Sequence, residues 1–201
     1  MGAQLYETFY GRESVNHKLF MLMNHAGLPF LDHIMPVFTL LGGPRICYLY
    51  FLILALVRLV NKRVMPGRYL VVYTVATFFA IGVEDLLKGF FRVPRPPLAI
   101  GAESVRVIGR MSSSFSLPSG HAIFSFVTAF TLSYGRSWRW KCPLFLFAVL
   151  VAFSRVYVGA HYPLDVAAGG VVGVACGYIV WRFYEFVENR RRISGETRSG
   201  P

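Results

Sequence analysis

Five long apolar runs, at about residues 44–60, 69–88, 120–135, 143–160 and 163–186, restrict this chain to one kind of fold. Each approaches the ~20 residues that a helix needs to cross the hydrocarbon core of a bilayer. With 55% hydrophobic residues and a mean hydropathy of +0.49, the chain carries more apolar side chains than a soluble core of its size uses. The expected fold is all-α, a polytopic membrane helix bundle with five clear transmembrane helices. Upstream, residues 16–42 are apolar in stretches but interrupted by Asn24, His25, Pro29, Asp32, His33 and Pro36. That pattern suits interfacial or re-entrant helices, with a sixth crossing as the alternative.

Charge orients the bundle. The formal net charge is +11, but the basic residues fall in short inter-helix loops and the tail rather than on one soluble face, so nucleic acid is not the expected partner. Lys62, Arg63 and Arg68 follow the first run, Arg136, Arg139 and Lys141 the third, and Arg190, Arg191, Arg192 and Arg198 fill the tail. By the positive-inside rule that side is cytoplasmic, which puts the loop at about 89–119 and the turn near residue 161 outside. Cys47, Cys142 and Cys176 have no metal-ligand spacing and read as packing residues. The N-terminus lacks a basic region followed by an apolar one, so a cleaved signal peptide is not expected. Residues 1–192 read as one domain, followed by a mobile tail at 193–201.

Within the last run, Gly169, Gly173 and Gly177 recur at every fourth residue and leave one helix face bare for close packing. Three further clusters stand where apolar runs stop. The first is Lys88 with Arg95-Pro96, the second Pro118-Ser119-Gly120-His121, and the third Ser154-Arg155 followed by His161 and Asp165. Arginine offers a planar fork for two phosphate oxygens, and lysine a point charge. A proline, a small hydroxyl residue and a glycine opening a helix leave free N–H groups and the positive end of the dipole aimed at one spot. His121 in that first turn is placed to give a proton to a departing oxygen. Asp165, four residues past His161 and just after Pro163, can reach back to one imidazole nitrogen and leave the other free as a nucleophile.

Each cluster alone has a structural explanation. Lys88 can snorkel to the interface or pair with Glu84 one turn earlier, Ser-Gly-His can be a helix cap, and a histidine beside an acid can simply be a buried pair. All three on one membrane face point instead to a single anionic ligand.

The spacing of Lys88, Arg95-Pro96, Pro118-Ser119-Gly120-His121, Ser154-Arg155, His161 and Asp165 resembles the type 2 phosphatidic acid phosphatase (PAP2) family at every motif position, over a motif core of roughly residues 85–170. That family is the membrane branch of a superfamily that includes bacterial acid phosphatases and vanadium haloperoxidases. The resemblance implies catalysis by His161, His121 and Asp165, with His161 attacking phosphorus, Asp165 orienting it and His121 protonating the leaving oxygen. It implies phosphate binding by Lys88, Arg95, Ser119, Gly120 and Arg155. It also implies a metal-independent phosphatase with no cofactor, acting in a bacterial cytoplasmic membrane with its site facing the periplasm.

A site at a membrane boundary among apolar helices suits a phosphate monoester or pyrophosphate on a lipid whose tails stay in the bilayer. Candidates are phosphatidylglycerol phosphate, phosphatidic acid, undecaprenyl pyrophosphate and lipid A phosphates. Arg106, Arg110 and the serine run 112–114 are expected to shape head-group choice. The alternative from another class is a membrane protein that binds or transports phosphorylated lipids without cleaving them. A haloperoxidase is a third reading, for which a soluble architecture would be expected.

Overall fold

A computed structural model describes residues 2–43, 45–109 and 114–198, apart from the side chains of residues 3 and 195–198. The chain forms α1 (Ala3–Tyr10), α2 (Val15–Asn24), α3 (Pro29–Leu41), α4 (Ile46–Val60), α5 (Gly67–Phe91), α6 (Pro96–Ile100), α7 (Gly120–Ser133), α8 (Trp138–Tyr157) and α9 (Pro163–Arg198), with one 3₁₀ turn at Ala102–Ser104. Among the described residues there is no strand. The protein is a polytopic membrane bundle built entirely of helices.

All five apolar runs contribute helices, but their lengths do not by themselves confirm a count of five spans. Three stretches are long and apolar enough to cross a membrane: 67–100, containing α5 and α6, then α8, and α9 as far as residue 194. The 44–60 run qualifies only together with α3, which meets α4 at a bend of 69°. So part of the interrupted N-terminal segment forms a bent apolar pair with α4, the geometry of a broken span or of a re-entrant loop. The fifth run, α7, has 14 residues. At 1.5 Å per residue it is about 21 Å long, short of the ~30 Å hydrocarbon core.

α7 is the buried axis of the bundle, packed on α5, α8 and α9. Its hydroxyl residues Ser125, Thr128 and Thr131 bond back to the carbonyls of His121, Phe124 and Val127 at 2.7–2.8 Å, so they enter the interior with their polarity satisfied. The small-residue face of α9 meets it as expected. A Cβ on Gly169 would stand 2.6 Å from the Ser119 carbonyl oxygen, and one on Gly173 would stand 2.5 Å from that of Ile123. Leu52, Leu56, Phe78, Leu86, Phe90 and Phe183 remain exposed around the bundle, where lipid would cover them.

The two ends of the bundle differ. At one end Arg136 lies over the rings of Tyr69 at 4.1 Å and Trp140 at 4.6 Å, and it donates to the Val64 carbonyl. The other end gathers the C-terminal end of α5, the start of α7, the end of α8 and the start of α9. α9 continues to Arg198, so residues 193–198 of the expected tail are helical, and 199–201 lie outside the described residues. Cys47 and Cys176 are buried, whereas Cys142 is exposed on α8 and is not a packing residue.

Candidate active site

Prolines and turns bring the three motifs to one end. α5 stops at Arg92, which adopts a left-handed φ of 50°, and Pro94 and Pro96 prevent the helix from resuming in line. Arg95 is thereby turned inward and is 3% exposed. It is held from two sides: Nε donates to the Ser114 carbonyl at 2.8 Å, Nη1 to the Ala160 carbonyl at 3.0 Å and Nη2 to Ser114 Oγ at 3.0 Å. The turn from α8 to His161 requires Gly159, whose φ is +80° and where a Cβ would stand 2.7 Å from the Arg106 carbonyl oxygen. Pro163 then starts α9, and the Tyr162 N–H donates to Asp165 Oδ2 at 2.9 Å.

His161 and Asp165 come together, through a residue the sequence did not single out. Nδ1 of His161 is 3.5 Å from Asp165 Oδ2, while Ser116 Oγ lies 3.3 Å from Nδ1 and 2.5 Å from the same carboxylate oxygen. Tyr10, from α1, donates its hydroxyl to Asp165 Oδ1 at 2.8 Å. The carboxylate therefore accepts from two hydroxyls and a backbone N–H, which is how a fully buried acid is kept charged and fixed. On the other side of the ring, Arg95 Nη1 is 3.1 Å from Nε2. Guanidinium only donates, so Nε2 is the unprotonated nitrogen and the ring proton sits on Nδ1, facing Ser116 and Asp165. Burial, then the positive charges of Arg95, Arg155 and Lys88, hold this imidazole well below its ordinary range. It is a neutral base.

His121 lies in the first turn of α7 and is partly buried, beside Gly43 at the break between α3 and α4. The cations bearing on it are those of Arg155, Arg95 and Lys88, with the His161 ring nearby. Ser119 caps α7 and its N–H donates to the Asp165 carbonyl, tying the start of α7 to α9. Among the described residues, Ser119 Oγ and Arg155 Nε are buried without a hydrogen-bond partner. Lys88 is engaged instead, its Nζ 2.6 Å from Glu84 Oε1, and that carboxylate lies against Gly120.

The preceding loop is tied down from the N-terminal helices. Arg106 is ion-paired with Asp32 of α3 and within 3.4 Å of the Tyr157 hydroxyl, so its guanidinium braces the loop. Asn24, fully buried, donates to the carbonyls of Arg106 and Tyr157 at 2.8 and 2.9 Å and accepts from the Arg106 N–H at 2.9 Å. Arg110, Ser112 and Ser113 lie outside the described residues. The braces Tyr10, Asn24 and Ser116 carried no signal beyond residue type, because each meets its partner only through the tertiary fold.

Known proteins are similar to this chain in sequence and in fold. A lipid A 4'-phosphatase of Bacteroides thetaiotaomicron is 31% identical over 184 residues, covering 85% of this chain and 76% of its own. A bacitracin transport permease protein, BcrC, of Bacillus licheniformis is 31% identical over 134 residues, and the match spans 66% of this chain and 64% of that relative's length. The crystal structure of Aquifex aeolicus LpxE superposes with a TM-score of 0.67 at 34% identity, covering 84% of this chain and 96% of that one. The profile of the PAP2 superfamily matches residues 69–188, from α5 through most of α9, and takes in every one of the charged clusters described above. On that span, more than half of its length, the chain belongs to the PAP2 superfamily.

Proposed function

We propose that this membrane protein is a lipid phosphatase that hydrolyses a phosphate monoester or pyrophosphate of an envelope lipid through a phosphohistidine on His161. The observation that carries the reading is the pair of buried, unpartnered donors, Ser119 Oγ and Arg155 Nε, at a site with a neutral imidazole. A buried donor without an acceptor costs about 1–3 kcal/mol, and an anionic oxygen removes that cost. Nε2 of His161 donates its electron pair to phosphorus, and the bond from phosphorus to the lipid oxygen breaks. His121 gives that oxygen its proton. Ser116 and Asp165 stabilise the Nδ1 proton as the ring becomes positive, while Arg95, Arg155, Lys88, Ser119 and the Gly120 N–H hold the phosphoryl oxygens. Water, deprotonated by His121, then attacks the phosphohistidine and releases phosphate. No metal or cofactor enters these steps.

Two features support a lipid substrate. A cavity of about 410 Å³ opens between α4 and α5, lined by Phe51, Tyr73, Phe78, Ile81 and Phe124, with Arg45 on its wall. Ile81 is three residues before Glu84 on α5, so a hydrocarbon chain there would lie one helical turn from the phosphate groups. The cation-rich end opposite the site supports an orientation in the cytoplasmic membrane of a bacterium with the site on the periplasmic side.

The test is phosphate release by the purified protein in detergent from phosphatidylglycerol phosphate, phosphatidic acid, undecaprenyl pyrophosphate and lipid A, with chelator present. Release from at least one, competitive inhibition by vanadate, and loss in His161→Ala are the expected results. Binding of these lipids with no release from any would favour the alternative, a lipid-binding or transport protein. Full activity in His161→Ala would exclude the phosphohistidine.

A further inference from the structure

Glu84 sits where the chemistry has no use for a negative charge. Its Oε1 is 2.6 Å from Lys88 Nζ, and the two side chains are only 13% and 15% exposed, so this is not a solvated surface pair. The same carboxylate lies against the start of α7, where a Cβ on Gly120 would collide with it. Its charge also reaches Arg95. A lysine, a helix N-terminus and an arginine, three of the groups assigned to phosphate oxygens, thus already face an internal anion. Helix geometry explains why Glu84 and Lys88 can pair, but not why the pair is turned toward Gly120 rather than toward the head-group region.

We propose that Glu84 is a counter-ion that the substrate phosphate displaces. This rests on the reading of the site as a phosphate site. Without substrate, Glu84 holds Lys88 in the pocket and offsets part of the repulsion among Lys88, Arg95 and Arg155. When phosphate arrives, the ammonium turns from the carboxylate to a phosphoryl oxygen, and Glu84 remains beside a like charge. That repulsion weakens the hold on both the ground-state ester and inorganic phosphate, so the product leaves a site that three cations would otherwise grip tightly. Glu84 therefore determines affinity through Lys88 rather than taking part in bond making. A side chain at position 120 would displace the carboxylate from the start of α7.

The experiment compares the wild-type full chain with Glu84→Gln and Glu84→Asp in detergent, measuring inhibition constants for inorganic phosphate and vanadate together with kcat and KM on one lipid phosphate. Glutamine keeps the shape and an oxygen for Lys88 but removes the charge. Its inhibition constant for phosphate should fall about ten-fold, with KM falling in parallel and kcat not rising, as expected for removing one like charge near the site. Aspartate draws the charge back by one methylene and should move the constant the same way by less. Unchanged or weaker inhibition in both variants, with kcat reduced, would overturn the proposal and leave Glu84 as a brace for Lys88. A wild-type protein that releases no phosphate and ignores vanadate would instead overturn the phosphatase reading itself.

Discussion

The segment from α5 to α9 and the first forty residues meet at the same imidazole and carboxylate, yet they bring different things. From α5 onward come Lys88, Arg95, Ser119, His121, Arg155, His161 and Asp165, the side chains proposed to touch phosphate or move its protons. From the N-terminal part come supports. Tyr10 donates to Asp165, Asn24 ties the outer loop to the end of α8, Asp32 holds Arg106 and Tyr157, and Thr39 Oγ1 is 2.9 Å from Ser154 Oγ. A reacting group is constrained by charge, proton affinity and position together, so few residue types serve. A brace need only present a donor or acceptor at the right place. The superfamily profile begins at residue 69, after the N-terminal braces and before the groups proposed to react, and takes in the brace Ser116.

Substitutions of matching severity on the two sides test the contrast. Arg155→Lys keeps a buried cation but loses the planar fork, and Nε is already without a protein partner. It should lower kcat/KM by about a hundred-fold or more with the thermal midpoint little changed. A near-normal rate would remove Arg155 from the reacting set. Tyr10→Phe, on the bracing side, deletes one hydroxyl and leaves the ring packed 5.2 Å from Tyr162. Loss of this contact to the orienting acid should reduce kcat about ten-fold with KM nearly unchanged. If KM alone rises, α1 belongs with substrate binding and the division between the two regions fails.

How far the residues announced all this follows from the range over which each signal acts. Apolar runs are legible because a bilayer demands length, and the glycine spacing of α9 is legible because helix periodicity is local. Burial was less legible, since a helix buried as the axis of a bundle reads as apolar as one facing lipid, and α7 is the former. Motif spacing brought His161, Asp165, Arg95 and Arg155 to one place, because prolines and a glycine fix the turns between them. The Glu84–Lys88 pair was open to inspection at one helical turn. Ser116 and Tyr10 were not, being 49 and 155 residues from Asp165 in the chain. The Arg106–Asp32 pair was hidden for the same reason, its members being 74 residues apart.

The smallest expected effect on chemistry, and the sharpest on stability, belongs to Asn24. Its amide makes three hydrogen bonds to backbone groups, and the residue is fully buried. Asn24→Ala would leave two carbonyls and an N–H without partners in a space too tight for a side chain at Gly159. Each such group costs about 1 kcal/mol or more, so a total near 2–3 kcal/mol is expected, seen as a fall of roughly 5–10 °C in the thermal midpoint. Because Asn24 touches neither His161 nor Asp165 in any of these bonds, kcat at low temperature should stay within about three-fold of wild type. Asn24→Asp retains the acceptor for the Arg106 N–H but sets a buried carboxylate oxygen against two carbonyls, and should destabilise at least as much as alanine. If Asn24→Ala instead reduced kcat as far as Tyr10→Phe at unchanged stability, the turn that carries His161 would have to be counted among the parts that tune the reaction, and the N-terminal region would be more than a scaffold.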